Sequence, residues 1–99
     1  MKATGKRGKS YNTVSLNSNL ANINTNIIYN SLDDIPYPSI GYVNVATSLG
    51  PSGATSYLCV SIGTKGKNSH SLIFHRISTN EIFCNASDGG KWSGWKTIK

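Results

Sequence analysis

The side chains best suited to chemistry in this 99-residue sequence are aromatic, and two of them stand close together. Trp92 and Trp95 bracket Ser93 and Gly94, directly after an Asp-Gly-Gly turn signal. A flat ring covers the apolar C–H face of a pyranose, while neighbouring polar groups bind the hydroxyls. The alternative is that both indoles pack in a core or an interface. An unbroken strand would place them on opposite faces, unless Gly94 introduces a bulge.

A ligand site built from aromatic, basic and acidic side chains is the functional prediction. The candidate ligand-binding residues are Trp92, Trp95, Tyr57, His75, Arg76, Lys67 and Asp88. Receptor specificity usually lies in exposed loops. The candidate loops are Ser48–Ser56, Lys65–His70 and Ser87–Lys91. The second of these loops is basic, which would suit an acidic glycan.

Catalytic and metal-binding constellations do not stand out. His70 and His75 are five residues apart, so an extended strand would place them on opposite faces. No serine lies in a Gly-x-Ser-x-Gly motif, and none is singled out as a nucleophile. The adjacent acids Asp33 and Asp34 fit capping or turn hydrogen bonds better than acid–base chemistry. We therefore expect a non-catalytic protein with no cofactor and no metal.

The positive charge of the chain is concentrated at its beginning. Of the net charge of +6, four units come from Lys2, Lys6, Arg7 and Lys9. From Ser10 onward, six basic residues face four acidic ones, which leaves +2. A nucleic-acid-binding domain should carry its basic patch on the folded part. Residues 1–10 are therefore predicted to be a flexible basic arm, and no nucleic-acid partner is expected.

Hydropathy and cysteine content limit the class of protein further. No apolar run is long enough to span a bilayer, and residues 1–10 lack the apolar region of a signal peptide. Membrane insertion is therefore not expected. Cys59 and Cys84 lie outside any Cys-x-x-Cys spacing, and they either pair or remain free thiols.

From Ile40 onward the sequence alternates as β-strands do. Strands are predicted at 41–46, 56–63, 71–77 and 81–86, followed by a last strand that carries the two tryptophans. The short turn at 78–80 predicts a hairpin. Short strands separated by turn residues favour a mainly β fold, a small antiparallel β-sandwich or barrel-like sheet.

Residues 11–31 are predicted to form a stalk or connector. Leu16, Leu20, Ile23 and Ile27 follow the spacing of a heptad seam, although the residues between them are poor helix formers. The alternative is a strand. We predict a short helix near Leu16–Asn24 that leads into extended chain. Such a seam would associate with copies of itself, because a monomer of this size cannot bury it.

The order of these features resembles the pyocin-knob domains, which are found near the ends of phage tail fibres and R-type pyocin fibres. Leu32–Val43 (Leu-Asp-Asp-Ile-Pro-Tyr-Pro-Ser-Ile-Gly-Tyr-Val) resembles the opening of the family, and Ser56–Ile62 resembles its second strand. His70–Ala86 resembles the family's hairpin. Gly90–Ile98 (Gly-Lys-Trp-Ser-Gly-Trp-Lys-Thr-Ile) resembles its closing motif and is the most specific part.

The resemblance implies a pyocin-knob-like β domain at 32–99, trimer formation and an N-terminal stalk. The implied function is a receptor-binding or adhesion module of a tail fibre that recognises a bacterial cell-surface polysaccharide. The alternative is a structural trimerisation knob without a ligand site. The implied location is the virion, after folding in the host cytoplasm.

Overall fold

The computed structural model describes residues 20–64 and 68–99. A short 3-10 helix at Leu32–Asp34 precedes the strands. The strands are β1 (Ser39–Asn44), β2 (Ser56–Thr64), β3 (Ser69–Arg76), β4 (Glu81–Asp88), β5 (Lys91–Trp92) and β6 (Lys96–Thr97).

The described strands form one antiparallel sheet in the order β1-β2-β3-β4-β5, and β6 also pairs with β4. The mainly β, antiparallel prediction is confirmed. Within the described residues the sheet is a single layer, so the second sheet of a sandwich is not formed by this part of the chain. The predicted hairpin is confirmed as β3 and β4, whose turn is closed by Asn80 N–H donating to the Ile77 carbonyl at 3.3 Å.

The core lies on one face of the sheet, here called the inner face. Strands β1 to β4 contribute buried side chains to it: Val43, Tyr57, Cys59, Leu72, Phe74 and Phe83. The chain before β1 covers this face with Tyr29, Leu32 and Ile35, all buried. The predicted stalk thus contributes Tyr29 to the core of the β domain.

The predicted helix at Leu16–Asn24 is not present over residues 20–24, and Leu16–Asn19 lie outside the described residues. The side-chain oxygen of Asn24 instead accepts a hydrogen bond from the backbone N–H of Asn26 at 3.0 Å. Asparagine competes in this way with the backbone bonds of a helix. The local polar sequence therefore favours a turn over the heptad pattern.

The segment before the 3-10 helix attaches to the edge of β1. Tyr29 forms an isolated parallel bridge with Val45, and Ala21 N–H donates to the Pro38 carbonyl at 2.7 Å. Of the predicted seam, Ile23 packs against the protein's own core, whereas Leu20 and Ile27 are exposed.

The closing Trp-Ser-Gly-Trp segment contains a bulge. Cys84 pairs with Lys96 and Ser87 pairs with Trp92, so two residues of β4 face three residues of the closing segment. Gly94 is one of these three residues and has a positive φ of 106°. Glycine adopts this conformation readily because it has no Cβ atom. The predicted alternative of a bulge at Gly94 is therefore confirmed.

The bulge brings both tryptophans to the inner face. The Trp92 ring lies 5.1 Å from His70, and the Trp95 ring lies 4.6 Å from Phe74, centroid to centroid. His70 and Phe74 are both buried on the inner face of β3. The opposite-face placement predicted for an unbroken strand is thus wrong, because the strand is interrupted.

Cys59 and Cys84 are free thiols. Cys59 is buried in the core, and burial raises the pKa of its thiol to about 12. Cys84 is partly exposed and lies on the opposite face, across from Ile73. The two sulfur atoms are therefore separated by the sheet and cannot pair within one chain.

Candidate functional site

A polar cleft lies where the 3-10 helix meets the β2–β3 and β4–β5 ends of the sheet. It encloses about 340 Å³. It is lined by Asp33, Tyr37, Asn68, Ser69, His70, Ser87 and Gly90. This volume falls at the lower end of the roughly 300–1,000 Å³ of small-molecule sites. The cleft therefore suits one small polar unit rather than a large apolar ligand.

The 3-10 helix presents Asp33 to the cleft. Ser31 caps this helix, and its hydroxyl oxygen accepts a hydrogen bond from the backbone N–H of Asp33 at 3.2 Å. After the helix, Ser39 donates its hydroxyl hydrogen to the Pro36 carbonyl at 2.6 Å, which closes the Pro-Tyr-Pro turn. These two local bonds place Asp33 and Tyr37 at the same side of the cleft.

Two rings, those of Tyr37 and His70, line one wall of the site, and the Trp92 ring packs against His70 beside it. The His70 imidazole lies between the rings of Tyr37 and Trp92, with centroid distances of 4.5 and 5.1 Å. The indole N–H of Trp92 donates to a carboxylate oxygen of Asp33 at 2.9 Å. The Trp92–Asp33 bond thus links the closing segment to the 3-10 helix.

Gly63 allows Tyr37 to approach the sheet closely. A Cβ atom added at Gly63 would lie 2.6 Å from the Ser69 carbonyl oxygen and 3.1 Å from the Tyr37 ring. Any larger residue would therefore push the tyrosine ring away from β2. Gly63, the next-to-last residue of β2, therefore has a packing role at the cleft.

The buried polar floor of the site is fully hydrogen-bonded within the chain. His70 Nε2 lies 2.7 Å from Ser61 Oγ, which is the spacing of a nucleophile and its base. Ser61, however, is 0% exposed, so its hydroxyl cannot contact a ligand in the cleft. The hydrogen bond between Ser61 and His70 therefore fixes the imidazole in place. The groups that line the cleft offer a ligand hydrogen bonds.

Burial also affects the titration of His70. The pKa of its imidazole lies below the ordinary value of about 6.5, chiefly because burial penalises the charged form, with a smaller opposing effect from Asp33. The unfolded chain therefore takes up this proton more readily than the folded protein does. The resulting contribution to stability is complete above about pH 6.5 and is lost as the pH falls through the folded-state pKa.

We predict that the free energy of unfolding decreases between pH 7 and pH 5, and that His70→Gln makes this decrease shallower. Glutamine keeps a polar group near Ser61 but takes up no proton in this range. Urea unfolding at several pH values measures both proteins. An identical pH dependence of the two would contradict the prediction.

The structure places the candidate ligand-binding residues in several regions. Trp92 borders the cleft, whereas Trp95 packs on Phe74 and donates its indole N–H to the Leu49 carbonyl at 2.7 Å. Tyr57 is buried in the core, and its hydroxyl donates to the Ala54 carbonyl at 3.0 Å.

The remaining candidates also lie apart from one another. His75 is on the outer face with Nε2 2.8 Å from Asn80 Oδ1, and Arg76 donates to Ser52 Oγ at 3.3 Å. Asp88 ends β4 and is exposed. Lys67 lies outside the described residues. None of the six described candidates lines the cleft, and Trp92 lies beside it through its contacts with the lining residues Asp33 and His70.

Sequence reasoning did not select Asp33, Tyr37, His70 or Ser87 as ligand contacts. Two of the three candidate loops, Lys65–His70 and Ser87–Lys91, do converge on the cleft through their described residues. Asp33 was interpreted as a turn residue, and that capping role is present as well. The sequence feature that points to this cleft is the composition of the loops, which indicates a region of the chain but not which side chains bind a ligand.

Within residues 20–64 and 68–99, no group of three or more histidine, cysteine or acidic side chains is arranged to hold a metal ion. The same part of the chain contains no helix that is long and apolar enough to cross a membrane.

Comparison with known proteins finds no significant match among family models, curated proteins or solved structures. The resemblance to pyocin-knob domains therefore remains an expectation based on sequence.

Proposed function

We propose that the chain is a non-catalytic receptor-binding module that recognises a surface glycan through the cleft lined by Asp33, Tyr37 and His70. The observation that carries this proposal is a concave site in which polar groups surround a wall of aromatic rings. Carboxylate, amide and hydroxyl groups exchange hydrogen bonds with sugar hydroxyls, and ring faces cover apolar C–H groups.

The charge of the cleft favours a particular class of glycan. Among the described residues that line it, Asp33 is the only one with a charged side chain at neutral pH. A carboxylate accepts strong hydrogen bonds from hydroxyl groups, and it repels another anion. We therefore propose a neutral, hydroxyl-rich sugar unit, in contrast to the acidic glycan suggested by the basic loop.

The biological setting of this proposal comes from the resemblance. A pyocin-knob-like domain belongs to a homotrimeric tail fibre, which would place the chain in a virion and its ligand on a bacterial cell. Residues 11–31 would then connect a trimeric knob to the fibre. The alternative, a structural trimerisation knob, requires no ligand in the cleft.

Asp33→Ala is expected to weaken glycan binding about tenfold or more, because it removes a charged acceptor whose hydrogen bonds contribute roughly 1.5–3 kcal/mol. The substitution also leaves the Trp92 indole N–H without its partner. Binding to a glycan array and to whole bacterial cells is measured with the full chain.

Asp34→Ala is the matched control, since Asp34 is adjacent, acidic and exposed but does not line the cleft. It is expected to bind as the parent does. Equal binding by the Asp33→Ala protein, with its fold intact by circular dichroism, would contradict the assignment of the site. A parent protein that binds no glycan and no cell would favour the structural knob.

A further inference from the structure

The outer face of the sheet, opposite the core, is apolar across four strands. Two rows of cross-strand neighbours cover it. The first row is Ile40, Val60, Ile73 and Cys84, and the second is Tyr42, Leu58, His75 and Ile82. These eight residues, together with Ile62, are called the outer patch. Its isoleucines are unusually open, with Ile40 66% and Ile62 59% exposed.

The outer patch contains no acidic residue, lysine or arginine. Lys96 borders the patch as the cross-strand neighbour of Cys84, and Asp88 lies at the end of β4. Antiparallel sheets with one solvated face normally carry polar side chains there. Strand β2 instead carries Leu58, Val60 and Ile62 on this face, as strands covered on both sides do, and β3 adds Ile73 between Ser71 and His75.

The size of the patch is that of a functional surface. Four strands about 4.8 Å apart and five residues of about 3.3 Å each span roughly 19 by 17 Å, or about 300 Å² before corrugation. Apolar patches of roughly 300–600 Å² are the largest on ordinary monomers and are often functional. This is less than half of the roughly 800 Å² that one partner contributes to a standard interface, so the polar rim around the patch would contribute the rest.

The outer patch is not flat, because it contains a groove. Ile40, Leu58, Val60, Ile73 and His75 line a depression of about 240 Å³. Open isoleucine side chains stand beside it on the same face. A surface that carries both protruding aliphatic side chains and an aliphatic depression is suited to packing against another copy of itself.

The remaining part of the chain offers little to cover this patch. Residues 1–19 contain four large apolar side chains, Met1, Tyr11, Val14 and Leu16, against seven in the patch when His75 and Cys84 are not counted. Lys65–Lys67 contain none. Because the patch carries no acidic side chain, lysine or arginine, two copies of it can meet without charge repulsion, and its simplest complement is the same face of another chain.

We infer that the outer patch is the interface through which copies of this chain associate, sheet against sheet around a common axis. This inference rests on the self-association in the proposed function and is independent of the glycan cleft. The second layer expected from a sandwich would then come from neighbouring chains, with the outer faces turned towards the axis.

The test is the solution mass of the full chain and of Ile73→Lys, measured by analytical ultracentrifugation. The parent is expected at three times the chain mass, and the variant at the mass of one chain, because three lysines would meet at the interface. Ile73 is 40% exposed, so the lysine of a single chain can reach solvent and the fold is retained. Ile40→Ser is a second, milder variant with the same expected direction.

Ser78→Lys is the control, since it adds the same charge in the exposed β3–β4 turn. It is expected to remain trimeric. A trimeric Ile73→Lys protein would overturn the assignment of the face while leaving trimer formation intact. A monomeric parent would overturn both the inference and the trimer, and the Asp33→Ala comparison would still test the cleft separately.

Cys84 provides an internal reporter for the same question, because it lies in the outer patch while Cys59 is buried in the core. Iodoacetamide is expected to modify Cys84 slowly in the parent and faster in the Ile73→Lys monomer, as followed by mass spectrometry. A different result is a monomeric parent in which Cys84 is protected but becomes reactive in the double variant Val14→Ser, Leu16→Ser. It would show that the chain's own N-terminal segment covers the patch. That result would also overturn the inference.

Discussion

Replacing Trp95 by alanine is expected to lower the free energy of unfolding by about 3 kcal/mol. This is the lower end of the roughly 3–5 kcal/mol lost when a large aromatic side chain is removed from a core. The indole packs on Phe74 at a centroid distance of 4.6 Å and donates its N–H to the Leu49 carbonyl at 2.7 Å. A domain of this length has a total stability of about 5–15 kcal/mol. The change is therefore a large share of the total, and urea unfolding measures it.

Trp95→Phe is the matched control for this substitution. A phenyl ring retains part of the contact with Phe74 but cannot donate to Leu49, so an intermediate loss of stability is expected. The folded fraction of the Trp95→Ala protein should still bind glycan, because Trp95 does not line the cleft. A stability change below about 0.5 kcal/mol, the range of ordinary surface substitutions, would contradict this account.

The second large effect is expected from Asn85→Ala, at about 2 kcal/mol of lost stability, because it removes a buried amide that holds the bulge. Asn85 Oδ1 accepts hydrogen bonds from Gly94 N–H at 3.0 Å and from Ala86 N–H at 2.8 Å. Without this acceptor, the bulge loses the contact that positions both tryptophans. We expect a red-shifted tryptophan fluorescence and weaker glycan binding, in addition to the loss of stability.

Ser93→Ala is the control for the bulge. Ser93 is exposed and its backbone N–H, which alanine retains, donates to the Ala86 carbonyl at 2.9 Å. Its stability and fluorescence should match those of the parent. An Asn85→Ala protein with parental fluorescence would mean that the backbone alone maintains the bulge.

Most of the strand positions could be predicted from local pattern. The predicted strand at 56–63 corresponds to β2, and the predicted hairpin with its turn at 78–80 corresponds to β3 and β4. Alternation of apolar and polar residues and short turn sequences are local properties, so they can be read without knowing the fold. The helix predicted near Leu16–Asn24 is absent over residues 20–24. The heptad spacing there competes with turns that asparagine side chains stabilise.

The candidate site could not be assembled in the same way. Asp33 and Trp92 are bonded although they are 59 residues apart, and no spacing rule connects them. The sequence spacing of His70 and His75 bears only on metal binding, whereas the role of His70 depends on Ser61, Tyr37 and Trp92 around it. Contacts of this kind exist only after the 3-10 helix and the closing segment have packed on the same face.

The sequence by itself determined that this chain forms short antiparallel strands and that two indoles stand beside a turn. Only the tertiary structure decided which face of each strand is buried. In β2, Tyr57 and Cys59 point inward while Leu58 and Ile62 point outward, although either pair would suit a core. The bulge at Gly94 turns both indoles to the inner face, where they pack against the core and Trp95 lies on Phe74. The outer face keeps exposed aliphatic side chains such as Ile40 and Ile62.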